Sequence, residues 1–259
     1  MPFPFSQTLL ERLQAAKRVA VLTGAGVSAE SGVATFRDAQ TGLYANHRPE
    51  DLASEAGFRA NPKLVQGWYR ERRQRVHEVE PNPGHHALVQ LADQLPHLSI
   101  ATQNVDGLHQ RAGSAAVQEL HGSIVDVYCI ACGGRDQATV TNDGLERCAH
   151  CQDLMRPGVV WFGEMLPDAA WQVAEHDAIH ADVYFSIGTS AVVYPAAGLP
   201  LIAKANGAYV VEINIAPSAI ADDLDEVLLG PSGEVLPALL EALNHQHAST
   251  ESRAHASTH

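Results

Sequence analysis

The sequence predicts an α/β protein whose core is a doubly wound parallel sheet. Short apolar runs typical of buried strands recur at residues 19–22, 97–102, 182–187 and 209–213, and helical patterns separate them. Continuous apolar strands that alternate with helices indicate a parallel sheet covered on both faces. Each run ends in small or polar residues, and ligands of such sheets bind beyond the carboxyl ends of the strands.

The helices are predicted from apolar residues that recur at the helical period. Leu9, Leu10 and Leu13 share one face of the first predicted helix, residues 6–16, and Lys17 follows its end. The helices predicted between the strands cover residues 85–94, 167–178 and 196–205.

Two segments interrupt this alternation, and we expect them to form a smaller lobe. Residues 39–78 are polar with a helical pattern, whereas residues 123–158 contain all four cysteines. One domain is therefore predicted over residues 1–244, and its Rossmann-like core comprises about residues 1–38, 79–122 and 159–244. Residues 245–259 are rich in Ala, Ser, Thr and His without periodicity, which predicts a disordered tail.

The charge of the chain excludes some partners. Its 259 residues include 17 Lys and Arg against 30 Asp and Glu, a net charge of −13, which disfavours binding to nucleic acid. No apolar run reaches membrane-spanning length, and no secretory signal opens the chain. We therefore expect a cytoplasmic protein without a membrane partner. Its oligomeric state stays open, with a monomer as the default.

The four cysteines form the most specific local pattern. Cys129 and Cys132 make one CxxC pair, Cys148 and Cys151 make another, and fifteen residues separate the pairs. This spacing is typical of a tetrathiolate zinc site. A closed shell of four sulfurs leaves no open coordination position, so one structural Zn²⁺ per chain is predicted. Two disulfides or four free thiols are the alternatives, which the missing export signal disfavours.

A glycine loop follows the first predicted strand. Gly24, Gly26 and the small residues around them would let a pyrophosphate approach the backbone. The acidic residue that usually ends a second strand about 20 residues further on is missing. The loop therefore predicts a nucleotide but disfavours hydride transfer, and a tight turn without a ligand is the alternative.

His121 precedes the cysteine insertion, where the two lobes would meet. A histidine of near-neutral pKa suits the removal of a proton from a ribose hydroxyl. Gln103, Asn104 and Asp106 follow the second strand and could orient a ribose or a carboxamide. A lone histidine is more often structural or on the surface, which is the alternative for His121.

Five segments in order resemble the motifs of the sirtuins, which are NAD-dependent protein-lysine deacylases. They are TGAGVSAESGVATFR (23–37), TQNVDGLH (102–109), LHG (120–122), VWFGE (160–164) and GTS (188–190). The resemblance runs from about residue 10 to residue 243, with the four-cysteine module between the third and fourth segments.

The resemblance implies an NAD site. The residues that would cradle the diphosphate are Gly24, Ala25, Gly26 and Ser28. A mobile loop over the nicotinamide ribose would contain Phe36 and Arg37. The ribose and the carboxamide would be held by Gln103, Asn104 and Asp106. The adenosine half would be received by Gly188, Thr189, Ser190 and Asn214, with Ser232 near the adenine.

The resemblance also implies the reaction. His121 would be the general base and Asn104 a second catalytic residue. An acylated-lysine protein or peptide would add as a strand to a groove lined by Phe162, Gly163, Glu164, Val193 and Tyr194. The products would be free lysine, nicotinamide and O-acyl-ADP-ribose. Mono-ADP-ribosyl transfer to protein and a non-enzymatic NAD- or zinc-binding module are the alternatives.

Tyr69 and Arg72 are three residues apart, so they share a face of a helix. A phenol hydroxyl beside a guanidinium can bind a short-chain carboxylate through charge-assisted hydrogen bonds. A basic surface helix is the alternative, because three further arginines crowd this stretch. The pair resembles the sirtuin branch that removes succinyl and malonyl groups, and Ala29 would leave room for the acyl chain. The resemblance therefore implies desuccinylase and demalonylase activity alongside deacetylation.

Overall fold

The structure is a computed structural model that describes residues 3–35, 46–135 and 138–256, the last ten without their side chains. In these ranges the strands are β1 (Val19–Thr23), β2 (Leu98–Thr102), β3 (Val117–Glu119), β4 (Gly122–Cys129), β5 (Ala138–Val140), β6 (Glu146–Cys148), β7 (Met155–Val159), β8 (Val183–Ile187), β9 (Tyr209–Asn214) and β10 (Glu226–Leu229). The predicted strands are all present within one or two residues of their expected ends.

The helices in the same ranges are α1 (Gln7–Ala15), α2 (Ala25–Ala29), α3 (Pro49–Leu52), α4 (Glu55–Ala60), α5 (Pro62–Glu78), α6 (Pro83–Gln94), α7 (Leu108–Ala112), α8 (Asp168–His180), α9 (Leu199–Ala205) and α10 (Ser232–Ala256). A 3₁₀ turn, Ala196–Gly198, leads into α9 and covers the start of one predicted helix. None of these helices combines the length and the hydropathy that crossing a bilayer requires.

A parallel sheet forms the core, in the order β10-β9-β8-β1-β2-β3. This arrangement confirms the predicted fold class. The strand order reverses at β1, because the chain next forms β2 on one side and only later forms β8 on the other. Thr23 pairs with Thr102 of β2 and with Ile187 of β8, so the three strands end at the same level. The loops after them therefore meet at the switch point of the sheet.

Both faces of the sheet are covered, which explains the uninterrupted apolar strands. Every residue of β1 is buried. Val21 belongs to the apolar cluster that includes Leu88 of α6 and Leu239 of α10. Leu22 belongs to a second apolar cluster on the other face of the sheet, which includes Leu199 of α9. Alternate residues of one strand thus pack on helices from opposite sides.

The two insertions pack into a common small lobe. Helices α3 to α5 lie against the antiparallel pair of β4 and β7, and one cluster includes Phe58, Trp68 and Ile124. Trp161, which lies beyond the predicted boundary at residue 158, also packs into this cluster. The buried Gln66 amide donates to the carbonyls of Glu146 and Met155 and accepts from the Glu146 N–H, at 2.8–2.9 Å.

The end of the chain differs from the prediction. Helix α10 continues to Ala256, so most of residues 245–259 are helical rather than a disordered tail. Residues 257–259 lie outside the described ranges. The segment after Pro237 contains neither Gly nor Pro, and its commonest residue is Ala, which favours a helix without needing an apolar period. The C-terminal part of α10 therefore has no apolar period that could have indicated it in the sequence.

Replacing Leu239 tests the packing of α10. Leu239 is buried in the core cluster, so Leu239→Ala should lower the free energy of unfolding by about 2–5 kcal/mol through lost contacts and a cavity. Glu241→Ala, on the exposed face of the same helix, should change it by less than about 0.5 kcal/mol. Urea denaturation of both variants measures the difference, and equal effects would contradict the packing.

Candidate active site

The glycine loop touches the turn after β8 through backbone atoms. The N–H of Gly26 donates to the carbonyl of Gly188 at 2.8 Å. A Cβ at Gly24 would lie 2.7 Å from the Gly188 oxygen, and one at Gly26 would lie 2.7 Å from the Gly188 Cα. Gly188 itself has a positive φ of 61°. Only glycines permit this close approach of the two backbone segments, and a glycine loop at the carboxyl end of a strand also lets a diphosphate reach backbone N–H groups.

The loop after β2 is hydrogen-bonded to both neighbouring loops. The buried Asn104 amide donates to the Gly24 carbonyl at 3.0 Å and to the Ser28 hydroxyl at 3.1 Å. The Gln103 amide donates to the Thr189 hydroxyl at 3.0 Å. The predicted NAD residues of three separate strands therefore form one connected cluster.

Fewer of the residues predicted to bind the adenosine half are hydrogen-bonded to this cluster. The Asn214 amide donates to the Thr189 carbonyl at 2.9 Å, which places this residue beside the predicted site, and Ser190 is exposed on the same turn. Ser232 is buried, and its hydroxyl donates to Glu30 at 3.1 Å. Its contact with adenine stays a prediction. Phe36 and Arg37 lie outside the described residues.

Asp106 is buried at the start of α7, where its carboxylate accepts from the Leu108 N–H at 2.9 Å. Burial raises the pKa of Asp106, while the hydrogen bonds from Leu108 and Ser28 oppose that shift. A carboxylate in this position can accept hydrogen bonds from a carboxamide, as the prediction requires.

His121 directly precedes β4, and its Nδ1 lies 3.0 Å from the carbonyl oxygen of Gln103. A carbonyl only accepts, so Nδ1 carries the proton and Nε2 is the basic nitrogen. Burial lowers the pKa of His121, against the opposing effect of this hydrogen bond. The imidazole is therefore neutral near pH 7 and can take up a proton at Nε2.

The predicted peptide groove contains exposed apolar residues. Phe162, Val193 and Tyr194 are exposed, and so are Val192 and Met165. The last two lie beside the predicted segments in the sequence and were not predicted as part of the groove. Solitary exposed apolar residues are common, but several within two short segments are typical of a binding surface.

Glu164 faces its own segment rather than the groove. Its carboxylate accepts from both terminal guanidinium nitrogens of Arg156 and from the backbone N–H of Trp161 at 2.8 Å. Gly163, which lies between Phe162 and Glu164 in the sequence, has a positive φ of 89°. Glu164 therefore supports the turn that presents Phe162, whereas its direct contact with substrate stays a prediction.

Helix α5 turns Tyr69 and Arg72 toward the protein interior. Tyr69 is 3% exposed, and its hydroxyl accepts from the indole N–H of Trp161 at 3.1 Å. The Arg72 guanidinium lies 4.6 Å from the ring centre of Trp68. Burial lowers the pKa of Arg72, while Tyr69 and Asp106 favour its charged form. This interior position distinguishes the pair from a basic surface helix.

The four cysteine sulfurs converge at the tip of the small lobe. They lie within 4.8 Å of one another, and the Cys129–Cys151 and Cys132–Cys148 pairs are 3.3 and 3.7 Å apart. A tetrahedral zinc site with Zn–S bonds of about 2.3 Å requires sulfur separations of about 3.8 Å. None of the four forms a disulfide. The donor set therefore fits a closed structural zinc site.

Together these features define an α/β protein with a dinucleotide site at the switch point of its sheet and a zinc-binding lobe. The sequence profile of the Sir2 family matches residues 24–195 of the chain. The chain therefore belongs to the Sir2 family, the sirtuins, as its motifs indicated.

Known proteins resemble the chain over nearly its whole length. An NAD-dependent protein deacylase of Ralstonia nicotianae is 53% identical over 229 residues, which are 88% of this chain and 93% of the relative. A solved Sir2 homolog–NAD complex superposes with a TM-score of 0.87 at 41% identity, covering 94% of this chain and 96% of that chain. A Sir2–p53 peptide–NAD+ complex has a TM-score of 0.83 at 30% identity and covers 92% and 98%.

Removal of zinc should unfold the small lobe locally, because a preformed four-thiolate shell holds its β-strands together. We expect metal analysis to find one zinc per chain. A chelator, or the variant Cys148→Ser, should remove the metal and increase hydrogen exchange in residues 123–158, while α6 keeps its protection. Zinc added back after chelation should restore the protection. A purified protein without stoichiometric zinc would contradict the site.

Proposed function

We propose that this chain is an NAD-dependent protein-lysine deacylase that releases nicotinamide and O-acyl-ADP-ribose and accepts succinyl and malonyl groups as well as acetyl. The proposal rests on one observation. Hydrogen bonds connect Asn104 to the glycine loop, Gln103 to the turn after β8, and His121 to Gln103. The deacylase names of its relatives and their complexes with NAD and with peptide support it further.

The residues of the cleft have separate tasks. When bound, NAD would supply an electrophilic anomeric carbon with nicotinamide as its leaving group. Asn104 and Asp106 would orient the ribose and the carboxamide, and the glycine loop would hold the diphosphate. His121 would take a proton from a ribose hydroxyl at Nε2, because its Nδ1 proton is already donated to Gln103. The exposed apolar residues would bind the peptide, with backbone hydrogen bonds setting its direction.

The acyl group would lie between the base and helix α5. A succinyl or malonyl chain ends in a carboxylate, which the Arg72 guanidinium and the Tyr69 hydroxyl could bind together. An acetyl group presents no such charge, so its removal depends less on these two residues. The electrostatic influence of Asp106 on Arg72 supports a location of the pair near the carboxamide site.

Substitution of His121 tests the reaction. With NAD and an acyl-lysine peptide, the intact protein should release nicotinamide and free O-acyl-ADP-ribose, whereas His121→Ala should lose at least about 100-fold in turnover. The exposed His176→Ala serves as control. Because the base must be neutral and its pKa is lowered, the acid-side fall of kcat/KM should have its midpoint below the pKa of an ordinary histidine. ADP-ribose attached to the peptide would favour mono-ADP-ribosyl transfer instead.

Substitution of Arg72 tests the acyl preference. Arg72→Met removes a charge-assisted contact worth about 1.5–3 kcal/mol, so desuccinylation should fall at least about tenfold relative to deacetylation. Arg75→Met, on the exposed side of α5, should leave the ratio of the two rates unchanged. Steady-state rates with matched succinyl- and acetyl-lysine peptides give the ratio. An equal loss on both substrates would contradict the carboxylate site.

A further inference from the structure

The direction of one buried hydrogen bond determines what the Tyr69 hydroxyl can bind. The indole Nε1 of Trp161 lies 3.1 Å from the Tyr69 oxygen. An indole nitrogen only donates, so the phenol oxygen is the acceptor in this bond. The phenol proton is therefore left for a different partner.

Among residues 3–35, 46–135 and 138–246, no protein group accepts a hydrogen bond from the Tyr69 hydroxyl. The neighbouring Arg72 is donor-only and cannot accept the proton either. Burial raises the pKa of Tyr69 to about 12, so the phenol stays protonated at neutral pH. A buried hydroxyl proton beside a guanidinium requires an acceptor, preferably an anion.

Trp161 is held firmly enough to fix this geometry. It is 1% exposed, and the Arg156 guanidinium lies 3.6 Å from its ring centre. The ring of Phe58 contacts it at a centroid distance of 5.2 Å. Glu164 accepts from the Trp161 N–H and from Arg156, so the indole is fixed through both its backbone and its ring.

We propose that Trp161 is a positioning residue for acyl-chain specificity: its N–H occupies the Tyr69 oxygen and thereby directs the phenol proton toward the carboxylate of a dicarboxylic acyl group. This inference rests on the proposed function of Tyr69 and Arg72. It adds Trp161, from the VWFGE segment, to the residues that determine acyl specificity. Trp161 itself does not contact the acyl group in this scheme. Arg156 and Glu164 act one step further away, because they hold the indole.

The variant Trp161→Phe removes the N–H and keeps an aromatic ring. We expect the KM for a succinyl-lysine peptide to rise about fivefold relative to that for the matched acetyl-lysine peptide, as for loss of one neutral hydrogen bond. The control is Trp171→Phe. Trp171 is partly buried against the cluster of the main sheet that includes Leu22 and Leu199, so its replacement should leave this ratio unchanged. If Trp161→Phe does not fold, the isosteric analogue benzothienylalanine at position 161 removes the N–H with less change of shape.

A double-mutant cycle separates this role from a structural one. In a Tyr69→Phe background the phenol proton is gone, so Trp161→Phe should no longer change the ratio of the two KM values. An unchanged ratio in Trp161→Phe alone, or the same change in both backgrounds, would overturn the inference. A Tyr69→Phe variant that retains the full succinyl preference would instead overturn the acyl site of the proposed function.

Discussion

The backbone contact between the glycine loop and the turn after β8 is the constraint on which the whole site depends. A side chain at Gly26 would overlap Gly188, so any other residue would separate the loops of β1 and β8. Asn104 bonds to the first of these loops and Gln103 to the second. His121 is in turn held by the carbonyl of Gln103. A displacement at the cradle would therefore reach the general base through two hydrogen bonds.

Burial sets the protonation state of the groups around the cleft. It disfavours the charged form of each, and therefore lowers the pKa of His121 and raises that of Tyr69. The result is a neutral base and a neutral hydrogen-bond donor at the same pH. Arg72 is the cationic group of the proposed acyl site, and Asp106 favours its charge. The proposed catalysis and the proposed recognition of a carboxylate would thus operate together near neutrality.

The sequence predicted those features that are local. The strand pattern of residues 182–187 and the spacing of the cysteines depend on near neighbours, and both were found. Strand β3 was missed because it has only three half-buried residues and therefore no apolar run. The contact of Tyr69 with Trp161 spans 92 residues, so no periodicity could indicate it. The ion pair of Glu164 with Arg156 likewise becomes visible only in three dimensions, whereas the place of Glu164 in the groove, which the resemblance implies, stays a prediction.

The zinc module is also linked to the residues that are proposed to contact the acyl group. Gln66 is tied to the backbone at Glu146 and at Met155, and Met155 pairs with Cys129 across the sheet. Tyr69 follows Gln66 by three residues and so lies on the same side of α5. Order in the metal-bound strands is therefore transmitted to one face of this helix. A structural metal without an open coordination position can in this way support the proposed substrate specificity, because it stabilises the surface on which helix α5 rests.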